Sequence, residues 1–122
     1  MAPRKKKKKM WSKQSKYKCK NGSLVLMDST WEVAMAERLD HLNISWERKE
    51  DMKLPYYSKT GRKRNYIPDF YLPDYDTYIE VKGYWTDTAR YKMISVQKTN
   101  PVKIVILESL EAVNKFTRWK LK

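Results

Sequence analysis

The chain has 122 residues, 41% hydrophobic and 13% aromatic, with 27 Lys and Arg against 14 Asp and Glu for a net charge of +13. That length suits one domain with a single core and excludes two, and the apolar content argues for a folded protein rather than a disordered polycation. No apolar run approaches the roughly 18 residues of a membrane span, and the first residues are not a secretory signal. One cysteine, Cys19, and one histidine, His41, exclude an intrachain disulfide and a Cys/His zinc site built from this chain alone.

Charge is unevenly spread. The segment "MAPRKKKKKM" holds six basic residues (Arg4, Lys5, Lys6, Lys7, Lys8 and Lys9) and no acid, so the remaining 112 residues keep +7. Residues 1–12 are expected to be a disordered basic tail and 13–122 a single domain. A basic tail on a basic body points to a polyanion, most often nucleic acid; a solubilising tail or a nuclear-import signal is the alternative.

In chain order, "YKCKNGSLVLM" predicts a hairpin turning at Asn21-Gly22. A helix follows over "STWEVAMAERLDHL", capped by Ser29, with Trp31, Met35, Leu39 and Leu42 along one stripe and His41 near its last carbonyls. "ISWERKE" alternates as a strand with Ile44 and Trp46 on one side. "MKLPYYSKTGRKRNY" is basic and turn-rich, with Pro55 interrupting a strand and a bend at Thr60-Gly61. "YIPDFYL" and "TYIEVKG" predict two strands joined by "PDYD". Thr86 caps a second helix to about Lys98, with Ala89, Met93 and Val96 inward. "VKIVIL" reads as a strand covered on both faces. Ser109 opens a last helix with Leu110, Val113 and Phe116 on its buried side. The expected fold is α/β, a mixed sheet with helices packed on it.

Residues two apart on a strand share a face, so in "YIEVK" Glu80 and Lys82 face one way and Ile79 and Val81 the other. Asp69 follows Pro68, which cannot donate a ladder hydrogen bond. Antiparallel pairing around "PDYD" can bring Asp69 across from Glu80. Two carboxylates that close need a cation between them, and Mg2+ takes one or two protein carboxylates plus water and phosphate. Lys82 can then orient or deprotonate a water. The competing reading is a solvated sheet face, common for each part and rarer for the joint pattern. Asp74 and Asp76 fall in the turn and are read as structural. Glu32 closes "STWE", a capping box, yet lies on the shoulder of the apolar stripe; cap and metal ligand both stay open. Lys59, Arg62, Lys63 and Arg64 form the densest basic cluster of the folded part, placed to hold phosphates. Tyr84 and Trp85 are read as core in preference to base-stacking residues, and Arg90 and Lys92 as general attraction.

Helix glutamate, Pro-Asp, then Glu-x-Lys on an αβββαβ framework resembles the PD-(D/E)XK nuclease superfamily. "STWEVAMAERLDHLNISWE", "YIPDFYLPDYDTYIEVKGYW" and "VKIVIL", roughly residues 29–107, are most similar to phage endonuclease I, the Holliday-junction resolvases, and to small phage endonucleases. The resemblance implies a restriction-endonuclease-like core with an N-terminal hairpin and a C-terminal helix. It implies that Asp69 and Glu80 bind Mg2+ (or Mn2+), that Lys82 serves the attacking water, and that Glu32 completes the acidic cluster. It further implies a DNA endonuclease that nicks or resolves junctions, acts as a homodimer, and works in the cytoplasm of an infected host cell, or in the nucleus of a eukaryotic one. The lysine tail, the "KCKNGS" hairpin and the short segment after the last core strand set this chain apart from the resolvase pattern. A catalytically inactive DNA-binding module of the same fold is the alternative.

If the six tail cations meet phosphates, deleting residues 2–9 should flatten the dependence of log affinity for duplex DNA on log salt by about 5. Anisotropy titrations across a salt series measure it, and an unchanged slope removes the tail from the interface.

Overall fold

In the structure, a computed structural model that describes residues 14–48 and 51–121, two glycine turns close two hairpins in the same way. β1 (Ser15–Lys18) pairs antiparallel with β2 (Leu24–Met27), and β3 (Leu54–Tyr57) with β4 (Lys63–Tyr66). Across the first turn the Cys19 N–H donates to Ser23 O at 2.8 Å and Gly22 N–H to Cys19 O at 2.9 Å; across the second, Ser58 N–H donates to Arg62 O and Gly61 N–H to Ser58 O, both at 2.9 Å. Gly22 and Gly61 take φ of +89° and +81°, where a side chain is strained. The first loop is longer than the two-residue turn expected at Asn21-Gly22, because the register pairs Lys18 with Leu24. The basic tail expected at 1–12 lies outside the described residues.

α1 (Thr30–His41) starts at Ser29, whose hydroxyl accepts the Glu32 N–H. Met35 and Leu39 of the predicted stripe are fully buried, Trp31 and Leu42 partly, and His41 is exposed. The described part of "ISWERKE", residues 44–48, does not form the expected strand. Among these described residues the one ladder contact is a bridge of Glu47 to Tyr71, with Glu47 N–H donating to Tyr71 O at 2.8 Å and Tyr71 N–H to Glu47 O at 2.9 Å. Its alternation still orients it: Ile44 is buried, and Trp46 meets the Phe70 ring edge-on at 5.3 Å.

β5 (Phe70–Leu72), β6 (Thr77–Val81) and β7 (Lys103–Leu107) form a three-stranded sheet with β6 in the middle, antiparallel to β5 and parallel to β7. α2 (Asp87–Thr99), capped by Thr86, is the crossover between β6 and β7. α3 (Leu110–Asn114) and a 3₁₀ turn (Arg118–Leu121) follow. Two apolar layers cover the sheet. Phe70, Leu72, Ile79, Val81 and Leu107 pack with α1, Met27, Val113 and Phe116; Tyr78, Ile104 and Ile106 pack with Met93 and Val96 of α2 and with Leu54, Tyr56 and Tyr66 of the β3–β4 hairpin. That alternation is why "VKIVIL" is apolar at every position but its lysine. Leu110, expected inside, is 41% exposed, because so short a helix turns only Val113 and the following Phe116 inward.

The second hairpin is tied along α2. Ser95 Oγ donates to Tyr57 O at 2.8 Å and accepts from Tyr57 N–H at 3.1 Å, while Asn100 Nδ2 donates to Pro55 O at 2.8 Å. The first hairpin is tied to α1 by the Tyr17 hydroxyl, which donates to the Asp40 carboxylate. Burial, then that hydrogen bond, pushes the Tyr17 hydroxyl well above its ordinary value of 10.0. The neutral phenol is therefore favoured in the folded chain. Its contribution is complete below pH 10 and is lost as pH rises through and beyond it. Tyr17→Phe should cost about 1 kcal/mol near neutral pH, and urea unfolding should show this gap constant up to about pH 10 and narrowing as pH rises above it. A gap that stays constant contradicts the tie.

Candidate active site

Asp69 and Glu80 lie one step beyond the last pair of the β5–β6 ladder. The register pairs Phe70 with Ile79, so one residue further Asp69 stands across from Glu80. Pro68 has no N–H to continue the pairing. The Val81 N–H, directed to the β5 side, is taken instead by the Asp69 carboxylate, with Oδ2 at 2.7 Å. Asp69 is thus fully buried with one oxygen fixed to the central strand. Glu80 faces α2 and the β3–β4 hairpin, and the Tyr66 hydroxyl donates to its Oε1 at 2.6 Å. It does not emerge into solvent as its alternation with Ile79 and Val81 suggested; the hairpin covers it, leaving it 4% exposed. Lys82 leaves the strand next, its N–H donating to Leu107 O at 2.9 Å and its Nζ 5.9 Å from the Trp85 ring centre, half-buried.

Glu32 approaches from α1. Only the cap half of the expected box has its usual form. Ser29 Oγ accepts the Glu32 N–H at 3.2 Å, while the Glu32 side chain lies 3.2 Å from that same hydroxyl through Oε2 and 2.7 Å from Arg48 Nη2 through Oε1. Arg48 was not among the residues expected here. Its Nη2 is 3.0 Å from Asp28 Oδ2, its Nη1 3.9 Å from Asp69 Oδ1, and it donates to Asp69 O at 2.9 Å and to Leu26 O at 3.1 Å. All four side chains are at most 3% exposed. One guanidinium therefore joins β2, α1 and the start of β5 and relieves the repulsion among three carboxylates. The sequence held a signal for it: position 48 continues the inward alternation of Ile44 and Trp46, and an inward arginine needs acids to meet.

Lys59, Arg62, Lys63 and Arg64 are all exposed on the tip and outer strand of the β3–β4 hairpin, the hairpin whose last residue, Tyr66, holds Glu80. Lys5, Lys6, Lys7, Lys8 and Lys9 lie outside the described residues. Lys92, read from sequence as general attraction, is half-buried over two tyrosines, 5.1 Å from the Tyr66 ring centre and 5.9 Å from that of Tyr56. Trp85 packs partly against the α2-side core, as expected, and Tyr84 is 66% exposed. Asp76 is structural: it takes φ of +47° in the turn and accepts the Tyr71 hydroxyl at 2.7 Å, a bond that pushes this phenol up to about 12.

Among the described residues no three His, Cys, Asp or Glu side chains are grouped to hold a metal ion. The donor chemistry of the adjacent Asp69 and Glu80 fits a hard dication that keeps water and phosphate oxygens for its other positions. Glu32 differs, since the cation at its Oε1 is Arg48.

Arg48→Met should destabilise the fold by about 3–5 kcal/mol, the cost of leaving buried carboxylates without their cation. Arg48→Lys should recover little, because one ammonium cannot span partners on three elements. Urea unfolding of the variants measures both; a loss below about 1 kcal/mol for Arg48→Met would show the cluster to be incidental. No protein-family model, no curated protein and no solved structure matches this chain.

Proposed function

We propose that the chain is a Mg2+-dependent DNA endonuclease with a restriction-endonuclease-like core, hydrolysing phosphodiester bonds by direct attack of water. The observation that carries this reading is Asp69, fixed to Val81 of β6 one residue before β5 begins, next to Glu80 on that central strand, with Lys82 two residues beyond Glu80 and a four-cation hairpin covering the Glu80 face of the sheet.

Asp69 and Glu80 would hold the Mg2+, or Mn2+ in its place, which when bound neutralises phosphate charge and acidifies a bound water. The chain's own residues do the rest. The Val81 N–H and the Tyr66 hydroxyl fix one oxygen of each carboxylate, so both are oriented before substrate arrives. Lys82 orients the attacking water or takes its proton, and offers positive charge to the phosphate as the bond breaks. Lys59, Arg62, Lys63 and Arg64 grip flanking phosphates without reading sequence. Glu32 joins the metal-binding set only if Arg48 gives up its 2.7 Å contact. The substrate class is duplex or branched DNA, and a homodimer would place two such centres on paired strands. A phage endonuclease acting in the host cytoplasm fits this activity.

One observation favours a second reading, a catalytically inactive DNA-binding module: Arg48 already pairs with Glu32 and stands beside Asp69, and Tyr66 holds Glu80.

Labelled linear, nicked and four-way-junction DNA, incubated with Mg2+ or with EDTA, separates the two. The endonuclease cuts at least one substrate only with the metal. Asp69→Asn and Glu80→Gln abolish cutting while binding persists, and Lys82→Ala slows it about 10²- to 10⁴-fold. Binding without cleavage of any of these substrates in Mg2+ or Mn2+ establishes the inactive module instead.

A further inference from the structure

Between the β3–β4 hairpin and the first turns of α2 runs a groove of about 490 Å³. Among the described residues its lining carries three cations, Lys59, Arg64 and Lys92, and no acid. Tyr91 forms part of one wall, 39% exposed, with the Lys59 ammonium 5.6 Å from its ring centre. The hydroxyls of Ser58, Thr60 and Thr88 line the groove as well. The hairpin register explains the geometry: Tyr56 pairs with Arg64 and Leu54 with Tyr66, so the exposed Arg64 stands across from the buried Tyr56, at the tip-side edge of the α2-side core.

Three cations with hydroxyls and no carboxylate select an anion with several oxygens, and phosphate is the biological one that this set matches. A bare phosphate site has no use for an exposed aromatic ring. A duplex can use the cations but not the ring, because its bases are stacked on each other and present no open face. An unpaired nucleotide uses both. Side chains link the groove to the candidate centre: Lys92 of its lining lies over Tyr66, whose hydroxyl holds Glu80.

We infer that this groove binds an unpaired nucleotide of a single-stranded segment, its base stacked on Tyr91 and its phosphate between Lys59, Arg64 and Lys92. The occupancy stands on the groove alone. That the strand continues toward a scissile phosphate rests on the endonuclease reading, and narrows its substrate to DNA with unpaired nucleotides beside a duplex.

The test is fluorescence anisotropy with the full chain in EDTA, using labelled single strands of about 12 nucleotides, deoxy and ribo, and a duplex of the same length. Tyr91→Ala should weaken single-strand binding roughly 5- to 150-fold and leave duplex binding within about twofold. Tyr91→Phe, which keeps the ring, should behave as wild type. Lys92→Ala should weaken both ligands and lower the salt slope by about 1. Tyr91 dependence with either the deoxy or the ribo strand supports the groove and names its source. An equal loss on single strand and duplex, or no loss on any strand, overturns it. Because no divalent cation is present, the result is independent of cleavage. A chain that binds this way and never cuts keeps the groove and loses the endonuclease; a chain that cuts without Tyr91 dependence does the reverse.

Discussion

The Arg48 guanidinium is the interaction on which the rest of the site depends. Asp28 ends the first hairpin, Glu32 opens α1 and Asp69 opens β5, and all three are buried. Carboxylates brought together away from water repel strongly, and without a cation they force the elements that carry them apart or hold protons instead. An arginine answers this better than a lysine would, because its planar fork reaches partners on several elements at once. Such a buried cluster is weak evidence for stability in itself, since its desolvation cost is of the same order as its attraction. What it supplies is geometry: it fixes how the hairpin, the helix and the sheet meet.

The sheet carries the remaining constraint. β6 is the central strand, with an apolar layer on each face, and only at its far end does the chemistry change. There Pro68 stops the β5 ladder, the Asp69 side chain replaces a backbone partner for Val81, and Glu80 lies under the hairpin against Tyr66. The basic hairpin is thereby both a cover for Glu80 and the bearer of exposed cations. One short element, pinned along α2 by Ser95 and Asn100, thus carries both the exposed cations and the tyrosine, Tyr66, that covers Glu80 of β6.

Much of this was legible in the sequence because it is local. The caps at Ser29, Thr86 and Ser109 form as their side chains predict, each hydroxyl accepting the N–H three residues on. The antiparallel pairing around "PDYD" follows from turn chemistry, and it sets Asp69 across from Glu80. What the sequence left hidden is tertiary. Nothing local indicates that the hairpin folds over Glu80, so the carboxylate read as surface-facing is buried and Lys92 becomes the roof of two tyrosines. Alternation in "ISWERKE" was visible, but a strand needs a partner over its whole length, and among its described residues only Glu47 finds one. Arg48 fell between these cases. Its inward position was readable, and its meaning required knowing that three acids from distant segments converge on it.

The central claim, that Asp69 and Glu80 form a divalent-cation site beside a bound phosphate, is tested most directly by metal uptake rather than turnover. Mn2+ binding followed by electron paramagnetic resonance, in the presence of a DNA duplex made resistant to cleavage, reads the site alone. Saturable uptake is expected of the wild-type chain, and its loss in both Asp69→Asn and Glu80→Gln, with each variant still binding the duplex. Uptake by the variants equal to that of the wild type would contradict it.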